Sequence, residues 1–151
     1  VVSICYFALE MALLPSAVCQ EFSPAPVELP GITRQQLWDW HAAPGALERL
    51  LPPFDPAKVV KRSEPFHLRD GFVVLQIPLP VLGSCGASLQ VRGVHSPEGY
   101  REGYQFMDTN LEFPFEIYEH IHACSEAKFG DQEGAQLEDR IRFRLRFGPL
   151  G

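Results

Sequence analysis

The stretch AQLEDRIRFRLRF, residues 135–147, changes character at every second position. From position 137 onward its odd-numbered side chains are apolar apart from Asp139, and its even-numbered side chains are charged. Successive side chains of a β-strand point to opposite faces. A period of two over eleven residues is therefore typical of a strand with one face buried and the other in water. The stretch predicts a half-buried strand of an antiparallel sheet.

Five stretches downstream of Pro56 also predict strands, and glycine or polar residues separate them. These stretches are about 58–64, 71–79, 86–96, 99–111 and 115–126. An extended first strand is predicted between Val18 and Leu29, where Pro24 and Pro26 restrict it to a sheet edge or a kink. A sheet of about seven strands must curl and cover its apolar face.

Two short helices are predicted between the first strand and the rest of the sheet. Thr33, with Gln36 three positions on, forms a capping box that predicts a first helix over about 34–40. A second helix over about 45–51 is stopped by the pair Pro52-Pro53. Helices this short can cover only one end of the sheet.

One main domain is predicted over residues 17–151, preceded by an N-terminal extension over residues 1–16. A long helix after the last strand would cover the sheet, but none is predicted, so we expect a domain truncated before its C-terminal helix. The apolar N-terminal stretch is interrupted by Glu10 and Pro15 and lacks a basic segment. These features argue against a signal peptide and against stable membrane insertion.

Charge and cysteine usage restrict the partners that the chain can have. The formal net charge is −6, which argues against nucleic acid as a partner because phosphate contacts need clustered Lys and Arg. The four cysteines form no CxxC pair, so zinc-finger or thioredoxin-like chemistry has little support. Free thiols in a reducing compartment are the favoured interpretation, and we expect a cytoplasmic protein.

The order of one strand, two short helices, a strand meander and an expected final helix resembles the START-like helix-grip superfamily (SRPBCC). That superfamily includes polyketide cyclases, lipid-transfer START domains and plant pollen allergens. Three motifs are similar to one branch, the ligand-binding SRPBCC proteins often named cell-division-inhibitor-like. The motifs are Trp40-His41 with Pro44 to Pro53, Phe106-Met107-Asp108 with Pro114 to His122, and Leu137 to Phe143. The sequence departs from the branch at Phe113, Tyr118 and Cys124, where the branch has glycine, tryptophan and an aromatic residue.

This resemblance implies an α+β helix-grip fold that binds an apolar small molecule or lipid in a groove between a curved sheet and its helices, without catalysis. One alternative is a regulatory or interaction module linked to cell division, or to a fused or partner epimerase-like domain. A second alternative is a polyketide cyclase-type enzyme. The sequence contains no nucleophile elbow, P-loop or Gly-rich dinucleotide motif, so we favour binding over catalysis and expect no cofactor.

Two histidines and an aspartate form the candidate site. His120 and His122 lie two positions apart and so share one face of a strand with Tyr118. If the last two strands form a hairpin, His122 comes opposite Asp139. The same register places His120 opposite Ile141, Tyr118 opposite Phe143, and Glu119 opposite Arg142 on the outer face. An inward carboxylate among apolar neighbours is costly without a partner, so we predict that Asp139 accepts a hydrogen bond from a histidine.

From the sequence alone, several roles stay open for Asp139 and its partner histidine. It can be a polar network that fixes the strand register, or a polar anchor at the floor of a ligand groove. The spacing also allows a metal ion, but no third ligand is obvious besides Asp139 and His95, and no metal is predicted. The predicted ligand-binding residues are Trp40, Phe106, Tyr118, His120, His122, Asp139, Ile141 and Phe143. Of these, Trp40 is expected in the core, bridging helix and sheet.

Overall fold

The structure is a computed structural model that describes residues 19–50, 57–78, 88–110 and 115–145. The predictions for residues 1–16, for the pair Pro52-Pro53 and for the end of the chain after residue 145 lie outside these ranges.

The described residues form an eight-stranded antiparallel sheet and two short helices. The strands are β1 (Gln20–Phe22), β2 (Val27–Pro30), β3 (Lys58–Arg62), β4 (Phe72–Pro78), β5 (Ser88–His95), β6 (Gln105–Thr109), β7 (Phe115–Phe129) and β8 (Gln132–Leu145). The helices are α1 (Arg34–Ala42) and α2 (Ala46–Leu50). Strands follow the order β1-β8-β7-β6-β5-β4-β3, and β2 also pairs with β8. The curved sheet with two short helices confirms the predicted helix-grip architecture.

The first predicted strand is interrupted, as its prolines suggested. Two short strands, β1 and β2, pair with β8 on either side of the break at residues 23–26. Pro24 and Pro26 lie within this break, because neither has a backbone N–H to donate to a neighbouring strand. The prediction for 99–111 was too long, since a 3-10 turn over Pro97–Gly99 and a tight turn with Gly103 at positive φ precede β6.

The capping box of α1 is present as predicted. The backbone N–H of Gln36 donates to the Thr33 hydroxyl at 3.1 Å, and the backbone N–H of Thr33 donates to the Gln36 side chain at 2.9 Å. The helix ends at Ala42, just before Pro44. Gly45, at φ 76°, then allows the sharp turn into α2.

The register of the β7–β8 hairpin was predicted correctly. His122 pairs with Asp139, His120 with Ile141, and Tyr118 with Phe143. On the outer face Glu119 pairs with Arg142, and their side chains form an ion pair at 3.1 Å. Two further outer pairs join Arg144 to Glu116 and Arg140 to Glu138. Glutamates therefore neutralise the described arginines of this face.

Helix α1 packs on the inward face of the sheet. Leu37 and Trp38 are buried against Phe106, Cys124 and Ala135. A second apolar cluster on the sheet joins Phe115 and Phe143 to Val91, Tyr118 and Ile141. None of the helices in the described ranges is long and apolar enough to cross a membrane.

The prediction that Trp40 lies in the core is wrong. Its side chain is 36% exposed, whereas that of Trp38 is 6% exposed. The buried residues of α1 are Leu37, Trp38 and His41, which occupy one side of the helix at spacings of one and four. Trp40 is not on this side of the helix. The guanidinium of Arg49 lies over the Trp40 ring, 5.3 Å from the ring centroid.

Candidate functional site

The inward face of β5 to β8 gathers histidines and aspartates from four neighbouring strands. His95 on β5 pairs with Asp108 on β6, and Asp108 pairs with His120 on β7. On the next rung of the sheet, Phe106 pairs with His122, and His122 pairs with Asp139 on β8. Alternate residues of a strand share a face, so all these side chains point to the same side. We call His95, Asp108, His120, His122 and Asp139 the His–Asp cluster.

His122 is the centre of this cluster. Its Nδ1 lies 2.8 Å from Oδ1 of Asp139, and its Nε2 lies 3.4 Å from Oδ2 of Asp108. The contact between His122 and Asp139 was predicted from the register. The ring is not aligned for a good N–H···O bond to Asp139, so the contact is mainly ionic. The Phe106 ring stacks on the imidazole at 4.5 Å between centroids.

The two carboxylates make His122 a cation. Burial lowers the pKa of His122, but its contacts with Asp108 and Asp139 outweigh burial and raise that pKa to about 9. Burial raises the pKa of Asp108, yet His122 and His95 hold it well below its usual range. Burial likewise raises the pKa of Asp139, but His120 and His122 outweigh it, and the net shift is downward. At neutral pH the centre of the cluster is an imidazolium between two carboxylates.

His95 is a second protonated histidine, by the nature of its partners. Its Nδ1 lies 2.8 Å from the backbone carbonyl oxygen of His67, and its Nε2 lies 2.9 Å from Oδ1 of Asp108. A carbonyl and a carboxylate can only accept, so both ring nitrogens must carry a proton. Burial lowers the pKa of His95, but the contacts with Asp108 and the His67 carbonyl raise it overall.

His120 and His41 are the neutral histidines of this region. Burial and the positive charge on His122 lower the pKa of His120, whose Nε2 lies 3.5 Å from Oδ1 of Asp139. Burial also lowers the pKa of His41, which is 3% exposed on α1. Nδ1 of His41 donates to the Leu37 carbonyl oxygen at 2.9 Å, and its ring lies 6.2 Å from that of His122. Helix α1 therefore places a neutral imidazole beside the charged one.

Apolar side chains adjoin the His–Asp cluster on the same face. Tyr118 and Phe143 lie one rung beyond His120 and Ile141, and Phe115 lies 4.9 Å from Tyr118 between ring centroids. Burial, then the nearby aspartates, raise the pKa of Tyr118, so its phenol stays neutral. The predicted ligand-binding residues that share this face are Phe106, Tyr118, His120, His122, Asp139, Ile141 and Phe143. Trp40, the remaining predicted residue, does not join them.

Sequence reasoning missed Asp108 as the second carboxylate of the cluster. Asp108 appeared only within the motif Phe106-Met107-Asp108, while His95 was considered only as a metal ligand. The available signal was the spacing of two between Phe106 and Asp108, which places both on one face of a strand. Pairing of β6 with both β5 and β7 then brings Asp108 between His95 and His120, and the sequence does not show the register of these pairs.

A separate cleft of about 460 Å³ opens at the end of α1. It is lined by Trp38 and Ala42, by the loop from Phe66 to Asp70, and by Tyr100 and Glu102. No member of the His–Asp cluster lines it. The cluster lies instead on the face of the sheet, so the two features are distinct.

The fold is similar to those of several solved structures. A nucleoside-diphosphate sugar epimerase from Corynebacterium glutamicum is 26% identical with a TM-score of 0.61, over 80% of this chain and 24% of that protein. The di-domain ARO/CYC StfQ from the steffimycin biosynthetic pathway is 13% identical with a TM-score of 0.58, over 85% of this chain and 38% of StfQ. Ara h 8.0201 is 13% identical with a TM-score of 0.51, over 89% of this chain and 83% of that protein.

These likenesses show the helix-grip fold. The chain spans about a quarter of the epimerase and less than half of StfQ. No protein-family model matches the chain, and no curated protein does.

Proposed function

We propose that this chain binds an apolar small molecule or lipid on the inward face of its sheet, in the groove between sheet and helices, without chemistry of its own. The observation that carries this proposal is the juxtaposition of the His–Asp cluster with the apolar side chains Tyr118, Ile141 and Phe143. Small-molecule sites in proteins are mostly apolar with a few well-placed polar groups. The similarity of the fold to StfQ, a di-domain ARO/CYC from the steffimycin biosynthetic pathway, supports a fold that binds a hydrophobic ligand.

The two parts of this face have different tasks in the proposal. Apolar contact supplies affinity, at about 25 cal/mol per Å² of apolar surface removed from water. The charged cluster supplies orientation, because a ligand group that faces it must hydrogen-bond to a carboxylate or an imidazole or lose its own hydration. The proposed ligand is therefore largely apolar and carries one polar end.

Native mass spectrometry of the gently purified chain tests the proposal first, and a bound mass in the range of a lipid or polyketide is expected.

Displacement of an environment-sensitive fluorescent dye then compares Ile141→Gln with Arg142→Gln. These neighbours lie on opposite faces of β8, so Arg142→Gln is the matched control. Ile141→Gln should weaken dye binding about tenfold, consistent with the loss of one apolar contact. If both variants bound the dye equally well, the inward face would not be the binding site.

A second candidate is a module within a longer protein that also contains an epimerase-like part. It is favoured by the 26% identity to about a quarter of a nucleoside-diphosphate sugar epimerase. The assignment of residues 17–151 to one START-like domain belongs to this proposal. Reading the open reading frame beyond residue 151 tests it: a Gly-rich dinucleotide motif after a strand favours the module, and a stop codon directly after residue 151 opposes fusion.

The polyketide cyclase alternative depends on His120 and His122 as general acid or base. Turnover of a candidate aromatic polyketide that is lost in His120→Gln would favour this alternative. The links to cell division and to the cytoplasm stay predictions.

A further inference from the structure

We propose that Asp108, His120 and His122 form a binding site for one divalent transition-metal ion, with Zn²⁺ as the ion that suits these ligands. Asp108 lies directly opposite His120 on the neighbouring strand, and His122 follows two positions later on the same face. One ligand atom from each of the three side chains lies within 4.8 Å of the others. Two imidazoles and one carboxylate are a ligand set that Zn²⁺ accepts. This inference goes beyond the proposed apolar ligand and does not depend on it.

The distances fit an ion with a small adjustment of one side chain. Ligand atoms of a tetrahedral zinc site lie about 2.1 Å from the metal and so about 3.4 Å from each other. Oδ2 of Asp108 and Nε2 of His122 are already 3.4 Å apart. One ring nitrogen of His120 lies within 4.8 Å of a ligand atom on each of the other two side chains. We expect a rotation of the His120 ring to bring this third ligand to the ion. An ion at this point replaces the proton on Nε2 of His122.

The outer partners of the ligands also match a metal site. Oδ1 of Asp139 faces Nδ1 of His122 at 2.8 Å, on the opposite side of the ring from Asp108. Oδ1 of Asp108 faces His95, whose own ring is held by the His67 carbonyl. Metal-bound imidazoles and carboxylates commonly have such partners, which orient them toward the ion. The sequence predicted no metal because Asp108 was not recognised as the third ligand.

The ligands are buried enough to be ordered and exposed enough for an ion to enter. The side chain of His122 is 13% exposed, that of His120 is 20% exposed, and that of Asp108 is 26% exposed. Asp108 and Asp139 together supply two negative charges, which compensate a divalent ion in a partly dry site. A water molecule can complete the coordination of the ion at its fourth position.

Titration of the full chain, freed of metal with EDTA, tests the inference with Co²⁺ and Zn²⁺. One Co²⁺ per chain should give the visible absorption of a tetrahedral ion, and Zn²⁺ should displace it. His120→Gln should weaken binding at least about 100-fold, and Asp139→Asn about 10-fold to 100-fold, as outer partners do. Asp131→Asn is the control for Asp139→Asn, since Asp131 is an exposed residue in the turn between β7 and β8 and its replacement should leave binding unchanged.

Three results would overturn the inference. The first is that the folded protein binds no Zn²⁺ at millimolar concentration. The second is that the wild type and His120→Gln bind Zn²⁺ equally well. The third is a thiolate-to-cobalt charge-transfer band, which would place the ion on cysteine. Should His120→Gln fail to fold, the imidazole ¹⁵N spectra of the wild-type chain decide. Zn²⁺ must shift the ring nitrogens of His120 and His122, and unchanged nitrogens contradict the site.

Discussion

The two faces of the β7–β8 hairpin both carry opposite charges in cross-strand contact, but the two sets of charges differ in environment. On the outer face, Arg144 meets Glu116 at 2.7 Å, and their side chains are 34% and 51% exposed. On the inner face, His122 meets Asp139 at 2.8 Å, with 13% and 25% exposed. The distances are similar, so burial and the number of partners determine the energetic consequences. Exposed pairs contribute little, whereas a buried charge that loses its partner is costly.

The largest effect is expected when the shared carboxylate of the inner face is removed. Asp108→Ala leaves His95 and His122 without their common acceptor and should lower the free energy of unfolding by about 3 to 5 kcal/mol. Urea unfolding followed by circular dichroism measures the change. Asp39→Ala, on the exposed side of α1, is the control and should change stability by less than about 0.5 kcal/mol. If Asp108→Ala lowered the free energy of unfolding as little as the control does, the inner and outer faces would not differ in their contribution to stability.

A change of pH should have a smaller effect on the free energy of unfolding, measured in protein freed of metal. The pKa of folded His122 is about 9, raised from its usual 6.5, so the protein gains stability from this proton. That contribution is fully present below pH 6.5 and is lost as the pH rises through 9. The free energy of unfolding, measured by urea denaturation, should therefore fall by about 2 to 3 kcal/mol between pH 6.5 and pH 9. In His122→Gln most of this fall should disappear, and what stays is the contribution of His95, whose pKa is also raised. A fall as large as that of the wild type would assign the effect to a group other than His122.

The smallest effect is expected on the outer face. Glu116→Gln removes the ion pair with Arg144 but leaves both groups able to reach water. The unfolding free energy should change by about 0.5 kcal/mol or less, and the change should shrink further in 1 M salt. A loss above about 2 kcal/mol, measured by the same urea unfolding, would mean that burial does not separate the two faces.

The sequence was a good guide where one local pattern determined the structure. The strict alternation of β8 and the spacing of His120 and His122 determined which residues face inward. A hairpin then left few registers to choose from, so the contact between His122 and Asp139 followed. The capping box of α1 was equally local, because Thr33 and Gln36 satisfy each other's backbone groups.

The sequence was a poor guide where the answer depended on what packs against an element. Helix α1 has large apolar or aromatic residues at Leu37, Trp38, Trp40 and His41, so its pattern does not say which tryptophan faces the sheet. Asp108 was missed for a related reason. Its partners are His95 on β5 and His122 on β7, and His122 is not the residue directly opposite Asp108. Contacts of this kind arise only when the strands assemble.

The central claim is that the inner face holds His122 as a cation between Asp108 and Asp139. NMR titration of the His122 ring, in metal-free protein with assigned imidazole signals, tests it most directly. We predict a pKa of about 9 for this ring, and a marked fall of that pKa in Asp108→Asn. A pKa of 6.5 or below for His122 in the folded wild-type chain would contradict the claim.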